Sequence, residues 1–165
     1  MGTWTRVFIV FVAALLLAAL AADAVASREG DLAGRLLRAV EGLQMPGSES
    51  DSNWWFVSYP QEDELPTADR MASLEGCADL PEGVMRRLDF DAYFEVLGKV
   101  QPWMDHGQKK SAHGFARLQE IFHREYGDDV AVYRCDTNRY GEVRIYFLGV
   151  NDEGLSGLKT INIET

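Results

Sequence analysis

At Gly127-Asp128-Asp129 the apolar period of this chain changes from that of a helix to that of a strand, and it stays a strand period to the last residue. Before that point, Phe115, Leu118, Ile121 and Phe122 fall on one face of a helix expected over Ser111–Tyr126, with His113, Arg117, Glu120 and Arg124 opposite. After it, Val130 and Val132 alternate with polar or small neighbours. Val143, Ile145 and Phe147 alternate with Glu142, Arg144 and Tyr146, the pattern of a half-buried strand. Asn151-Asp152-Glu153-Gly154 supplies turn chemistry, and Ile161 and Ile163 mark a last strand. Further upstream, Leu32, Leu36, Val40 and Leu43 recur at helical spacing between Arg28 and Leu43, and Gln44–Asn53 reads as a loop. Trp54–Tyr59 is aromatic and β-prone. Asp89 is the expected N-cap of a short helix through Leu97, and Gly98–Lys110 reads as a connection holding Trp103. Pro60–Pro81, acidic and interrupted by Pro66, predicts no regular element. Helices early and a three-strand meander late give an α+β fold, with helices covering an antiparallel sheet.

The N-terminus is set apart from that domain. Arg6 precedes an almost unbroken apolar run from Val7 to Ala22, and Ala24-Val25-Ala26 gives the small-x-small pattern of a cleavage site. The expectation is a signal peptide over residues 1–26, cleaved before Ser27, and one domain over 27–165. A membrane anchor is the alternative, but the run falls short of the roughly 20 apolar residues of a spanning helix and no basic cluster follows. The expected localisation is therefore secreted or in the secretory pathway, with no membrane association after cleavage.

The formal charge of −10 is untouched by that cleavage, because Arg6 and Asp23 cancel. Such a domain is a poor direct binder of nucleic acid, whose phosphates would repel it. It suits a basic cleft on another protein, where the same field speeds and orients encounter. Cys77 and Cys135 are an even pair in a secretory context, for which one disulfide is the natural reading and two buried free thiols the alternative.

No catalytic constellation emerges. His113 and His123 lie ten residues apart on one helix, which rotates them by about 280°. No HExxH, P-loop, GxSxG or GxGxxG pattern is present among the residues. Asp89 and Asp91 read as an N-cap and a solvated first-turn carboxylate rather than an acid/base pair. The expectation is a non-enzymatic protein without a cofactor.

Several segments taken in order carry a resemblance. They are a helix ending Glu41-Gly42-Leu43, then Ser48-Glu49-Ser50-Asp51, then the aromatic strand with Trp55-Phe56-Val57. Asp89-Phe90-Asp91-Ala92-Tyr93-Phe94 follows, with Trp103 behind it, and the chain closes on Tyr146-Phe147-Leu148-Gly149, Gly157 and Glu164-Thr165. From about Leu36 to the last residue, fading between Pro60 and Arg87, the chain resembles the nuclease A inhibitor-like family. The resemblance implies an α/β sandwich similar to the class 1 pathogenesis-related proteins, and inhibition of sugar-non-specific endonucleases with a ββα-metal active site. It also implies three contact residues: Glu49, Trp103 and Thr165.

Chemistry makes those three sensible. Mg²⁺ in a nuclease cleft takes hard oxygen ligands, so the α-carboxylate of Thr165 would stand where a phosphate oxygen binds. Glu49 would meet an arginine or lysine of the cleft, and Trp103 would be an aromatic anchor. Without the resemblance, Glu49 reads as a solvated loop carboxylate, Trp103 as a core aromatic and Thr165 as the place where the chain stops. The signal and the cysteine pair depart from the family's pattern. They point to a foreign or secretory-pathway nuclease, or to a secreted acidic binding module of the same fold with a different basic partner.

Overall fold

The computed structural model of the chain describes residues 30–48, 52–77, 84–137 and 141–164. It divides into two units, Met1–Gly34 and Arg35–Thr165. Of the first unit only residues 30–34 are described, the opening of helix α1 (30–39); the rest of α1 and every other element belong to the second. The expected signal peptide over residues 1–26 lies outside the described residues.

The larger unit carries β1 (Trp54–Tyr59), α2 (Ala68–Leu74), β2 (Val84–Leu88), α3 (Phe90–Gly98), α4 (His106–Tyr126), β3 (Val130–Asp136), β4 (Glu142–Asn151) and β5 (Gly154–Ile163). The strands form one antiparallel sheet in the order β1-β5-β4-β3-β2. The meander β3-β4-β5 stands at its centre, as the alternation after Gly127 predicts, and β1 and β2 add an edge on each side. The architecture is the expected α+β sandwich.

Side-chain alternation gives the sheet two buried faces. On one, Ala131, Tyr133, Cys135, Tyr146, Leu148 and Leu155 pack with Met71 and Ala72 of α2. Glu75, directly after α2, is tied to the same face: Lys159 Nζ donates to it at 2.7 Å and Tyr146 Oη at 2.9 Å, and Tyr59 Oη donates as well. Burial pushes the Glu75 carboxyl up, but these three donors outweigh it and hold it below the usual carboxylate range. On the other face Phe147 meets Trp54, Tyr93 and Phe94, with ring centroids 5.7, 5.9 and 5.3 Å away. Phe90, Phe94 and Leu97 of α3 and Ala112, Phe115, Leu118 and Phe122 of α4 are buried there.

Asp89 caps α3 as its position predicts, accepting from the Ala92 N–H at 2.7 Å. Three elements differ from the sequence expectation. The segment Pro60–Pro81 holds α2, whose cap is Thr67, accepting from Arg70 N–H at 3.2 Å. Residues Val84–Leu88 form the edge strand β2. Helix α4 begins at His106 rather than Ser111, because Asp105 and Gln108 form a reciprocal capping box. Asp91 is also more than a solvated carboxylate. The start of α3 lies beside the end of α4, so Gln119 donates to Asp91 at 2.7 Å and the His123 ring meets it at 2.7 Å.

The disulfide joins Cys77, just past α2, to Cys135 on β3, and both cysteines are fully buried. Of the two readings open to the sequence, the bridge is the one found. No helix among the described residues is long and apolar enough to cross a membrane.

Candidate protein-binding site

The loop after α1 is folded tightly before it reaches Glu49. Ser48 N–H donates to the Met45 carbonyl at 3.2 Å across a Pro46-Gly47 turn, where Gly47 takes the left-handed φ of 77° that favours glycine. Met45 N–H donates in turn to Ser52 Oγ at 2.8 Å. Residues 48 and 52 are thereby both held near Met45, which is itself buried. Glu49 lies between them and outside the described residues.

Trp103 stands on a second tight turn. Met104 N–H donates to the Gln101 carbonyl at 3.2 Å, with Pro102 in the position where its fixed φ favours such a turn. Asp105 follows at once as the cap of α4, so the turn is anchored to a helix end. The Trp103 side chain is 73% exposed, which excludes the core-packing reading. Trp54, by contrast, packs among Phe115 and Phe147.

These two loops border one groove of 530 Å³, lined by residues that include Met45, Ser48, Leu97, Trp103, Asp105 and Ser111. Its floor is apolar, since Met45, Leu97 and Ala112 are buried, and its rim is polar. The end of β5 arrives beside the same loop: Ile163 N–H points to Ser48 Oγ at 3.5 Å. Thr165 lies two residues further on, outside the described residues. The chain neighbours of Glu49 and Thr165 therefore meet at the loop that shares a groove with Trp103.

Among the described residues no group of three or more histidines, cysteines or carboxylates could hold a metal ion. Residues 31–165 match the family described as nuclease A inhibitor-like protein.

The chain belongs to that family.

Nuclease A inhibitor-like proteins are a family of nuclease inhibitors, as a class non-enzymatic, and membership implies a nuclease as partner. Among curated proteins none matches the chain. The family's closing segments have visible packing roles in this member. Gly149 leaves room for the Tyr126 ring, which a side chain at that position would overlap, and Gly157 lets the Phe147 carbonyl approach. The Cys77–Cys135 bridge is compatible with a secreted inhibitor, because disulfides persist in oxidising compartments.

One set of residues beside the end of β5 is not distinguished by its sequence. Arg134 on β3 donates to both carboxylate oxygens of Glu164, at 3.0 and 2.6 Å, and to Asp136 at 2.8 Å. Its guanidinium is held above its ordinary pKa, first by the bonds to Glu164. Asn162 Nδ2 donates to the same Glu164 at 3.0 Å, and Arg86 pairs with Asp136. Tyr93 of α3 lies within the field of Arg134 and Glu164, its phenol raised mainly by burial. The only forward signal for this set was Glu164 itself, in the terminal Glu164-Thr165 pair.

Proposed function

We propose that this protein inhibits a Mg²⁺-dependent, sugar-non-specific endonuclease by occupying its basic active-site cleft, with Glu49, Trp103 and the α-carboxylate of Thr165 as the contact groups. Trp103 enters an apolar recess of the nuclease as the anchor, in the manner of interface hot spots. Glu49 pairs with a cationic side chain that otherwise receives substrate phosphate. The Thr165 carboxylate replaces a phosphate oxygen at the metal. The inhibitor reproduces the charge of the substrate and offers no bond to cleave. Residues 1–26 act as a cleaved signal, residues 27–165 form the inhibitory domain, and the target is a foreign or secretory-pathway nuclease.

The observation that supports this reading most is the groove shared by Ser48 and Trp103, together with the approach of Ile163 to Ser48. Three segments far apart in sequence contribute to one small region, and the large apolar side chain of Trp103 is left exposed there. The net charge of −10 adds the long-range attraction that a cationic cleft needs.

The test is plasmid degradation by Mg²⁺-dependent non-specific nucleases, secreted ones included, titrated with the purified protein. Inhibition that saturates at one protein per nuclease and is relieved by excess substrate DNA supports occupation of the cleft. Inhibition that substrate does not relieve contradicts it. Failure against every such nuclease tried overturns the reading in favour of a binding module with another basic partner.

A further inference from the structure

We propose that the groove beside Trp103 is a socket for one arginine side chain of the nuclease, with the stem on its apolar floor and the guanidinium at Asp105. The inference rests on the inhibitory reading above and adds to it what the partner must bring: besides the recess that takes Trp103, an arginine standing next to it.

The composition of the groove decides what fits it. Met45, Leu97 and Ala112 make a floor that is already buried, so a hydrocarbon stem laid on it gains apolar contact. Trp103 stands at its side as an exposed aromatic wall. Asp105 is the one charged residue among the described residues that line the groove, and no lysine or arginine stands there to balance it.

Asp105 is placed to receive a cation. Its Oδ1 accepts the Gln108 N–H at 2.8 Å, and Gln108 Oε1 accepts the Asp105 N–H at 3.0 Å, so the capping box fixes the carboxylate at the head of α4. Its Oδ2 has no hydrogen-bond partner among the described residues, and neither oxygen takes part in an ion pair there. The start of a helix attracts negative charge, and Asp105 already supplies it. A second anion in the groove would face a carboxylate, whereas a cation would complete a pair.

Arginine suits these features better than lysine. Its planar guanidinium is weakly hydrated, stacks on an aromatic face and donates through a fork to a carboxylate, while an ammonium is a strongly hydrated point charge. An ion pair open to water contributes little, but a nuclease seated over the groove would exclude solvent from this one.

Two experiments test the socket, the first without any nuclease. The ¹⁵N-labelled protein is titrated with N-acetyl-arginine amide and, separately, with N-acetyl-citrulline amide, which has nearly the same shape and no charge. The arginine probe should shift the amides of Leu97, Gln108 and Ala112 saturably, the citrulline probe should not, and Asp105→Asn should abolish the response. No saturable shift at these amides, or the same shift from both probes, overturns the assignment. The second experiment measures inhibition of a nuclease by variants. Asparagine caps a helix about as well as aspartate, so Asp105→Asn removes the charge and keeps the fold, which an unchanged unfolding midpoint verifies. It should weaken inhibition on the order of tenfold, the low end of the coupling between close charge pairs in an interface. Asp63→Asn removes the same charge from an exposed position ahead of α2 and should leave inhibition unchanged. An equal effect of the two variants, or none from Asp105→Asn, contradicts the socket and leaves the inhibitory reading standing. If the wild type inhibits no nuclease, that reading fails by itself, and the probe titration alone decides whether the groove takes an arginine.

Discussion

The Tyr126 ring lies so close to Gly149 that no side chain fits between the last turn of α4 and strand β4. Its hydroxyl continues across the sheet to Ser156 Oγ at 2.9 Å. Substituting Gly149→Ala should therefore force the ring outward and destabilise the fold by about 1–3 kcal/mol, the range for overpacking a core. Tyr126→Phe keeps the packing and loses the hydrogen bond, at about 1 kcal/mol. Urea unfolding of both variants checks the order of the two effects.

The contact between Asp91 and His123 predicts a pH dependence. His123 is held above its ordinary pKa, chiefly by the hydrogen bond to Asp91, with Gly127 O and Asp128 adding to it. Asp91 is held below its own, chiefly by His123 and then by Gln119. A raised histidine contributes stability that is fully present below its unfolded pKa and is lost as pH rises through the folded one. A lowered carboxylate contributes stability that is present above its unfolded pKa and is lost as pH falls through the folded one. The pair is therefore strongest between the ordinary values of 3.8 and 6.5. The difference in unfolding midpoint between wild type and Asp91→Asn should be largest near pH 5–6 and shrink towards pH 9. NMR titration should show the His123 pKa fall in that variant.

The Cys77–Cys135 bridge closes a separation of 58 residues that contains β2, α3 and α4. Removing it by Cys77→Ala with Cys135→Ala should cost roughly 2–4 kcal/mol, the usual range for a native disulfide. Because the bridge lies on the α2 face, inhibition measured well below the unfolding temperature should survive. A variant that keeps its stability would contradict a structural role for the bridge.

Trp103 separates binding from folding. With its side chain 73% exposed, Trp103→Ala should shift stability by no more than about 0.5 kcal/mol. As an interface anchor its loss should weaken inhibition by about thirtyfold or more, the equivalent of 2 kcal/mol. Thermal unfolding and nuclease titration of one preparation give both numbers. A marked fall in stability with unchanged inhibition would remove Trp103 from the interface.

What the sequence made legible follows from where periodicity is strong. The strands after Gly127 are readable because their apolar residues alternate, β1 because it is aromatic and β-prone, and the start of α3 because Asp89 is a good cap. Helix α2 is not, since it has seven residues and only Met71 and Ala72 are buried, too few for a period to appear. Strand β2 is an edge strand whose Arg86 and Arg87 are both exposed. The first turn of α4 carries Gly107, Lys109 and Lys110 and no apolar residue, so its start was marked only by the Asp105…Gln108 pairing. At the site, Trp103 was legible through family resemblance, while Arg134 and Asn162 were not. Arg134 reaches Glu164 from β3, a relation that no local pattern encodes, and Asn162, only two residues before Glu164, carries no signal in a strand of otherwise apolar or small buried positions.

The most direct test of the central claim compares two forms of the protein against a Mg²⁺-dependent non-specific nuclease: one ending at Thr165 and one carrying a few added residues. Strong inhibition by the first and its loss in the second is the predicted result, because extension removes the carboxylate assigned to the metal. Equal inhibition by both forms would contradict that assignment and take Thr165 out of the mechanism.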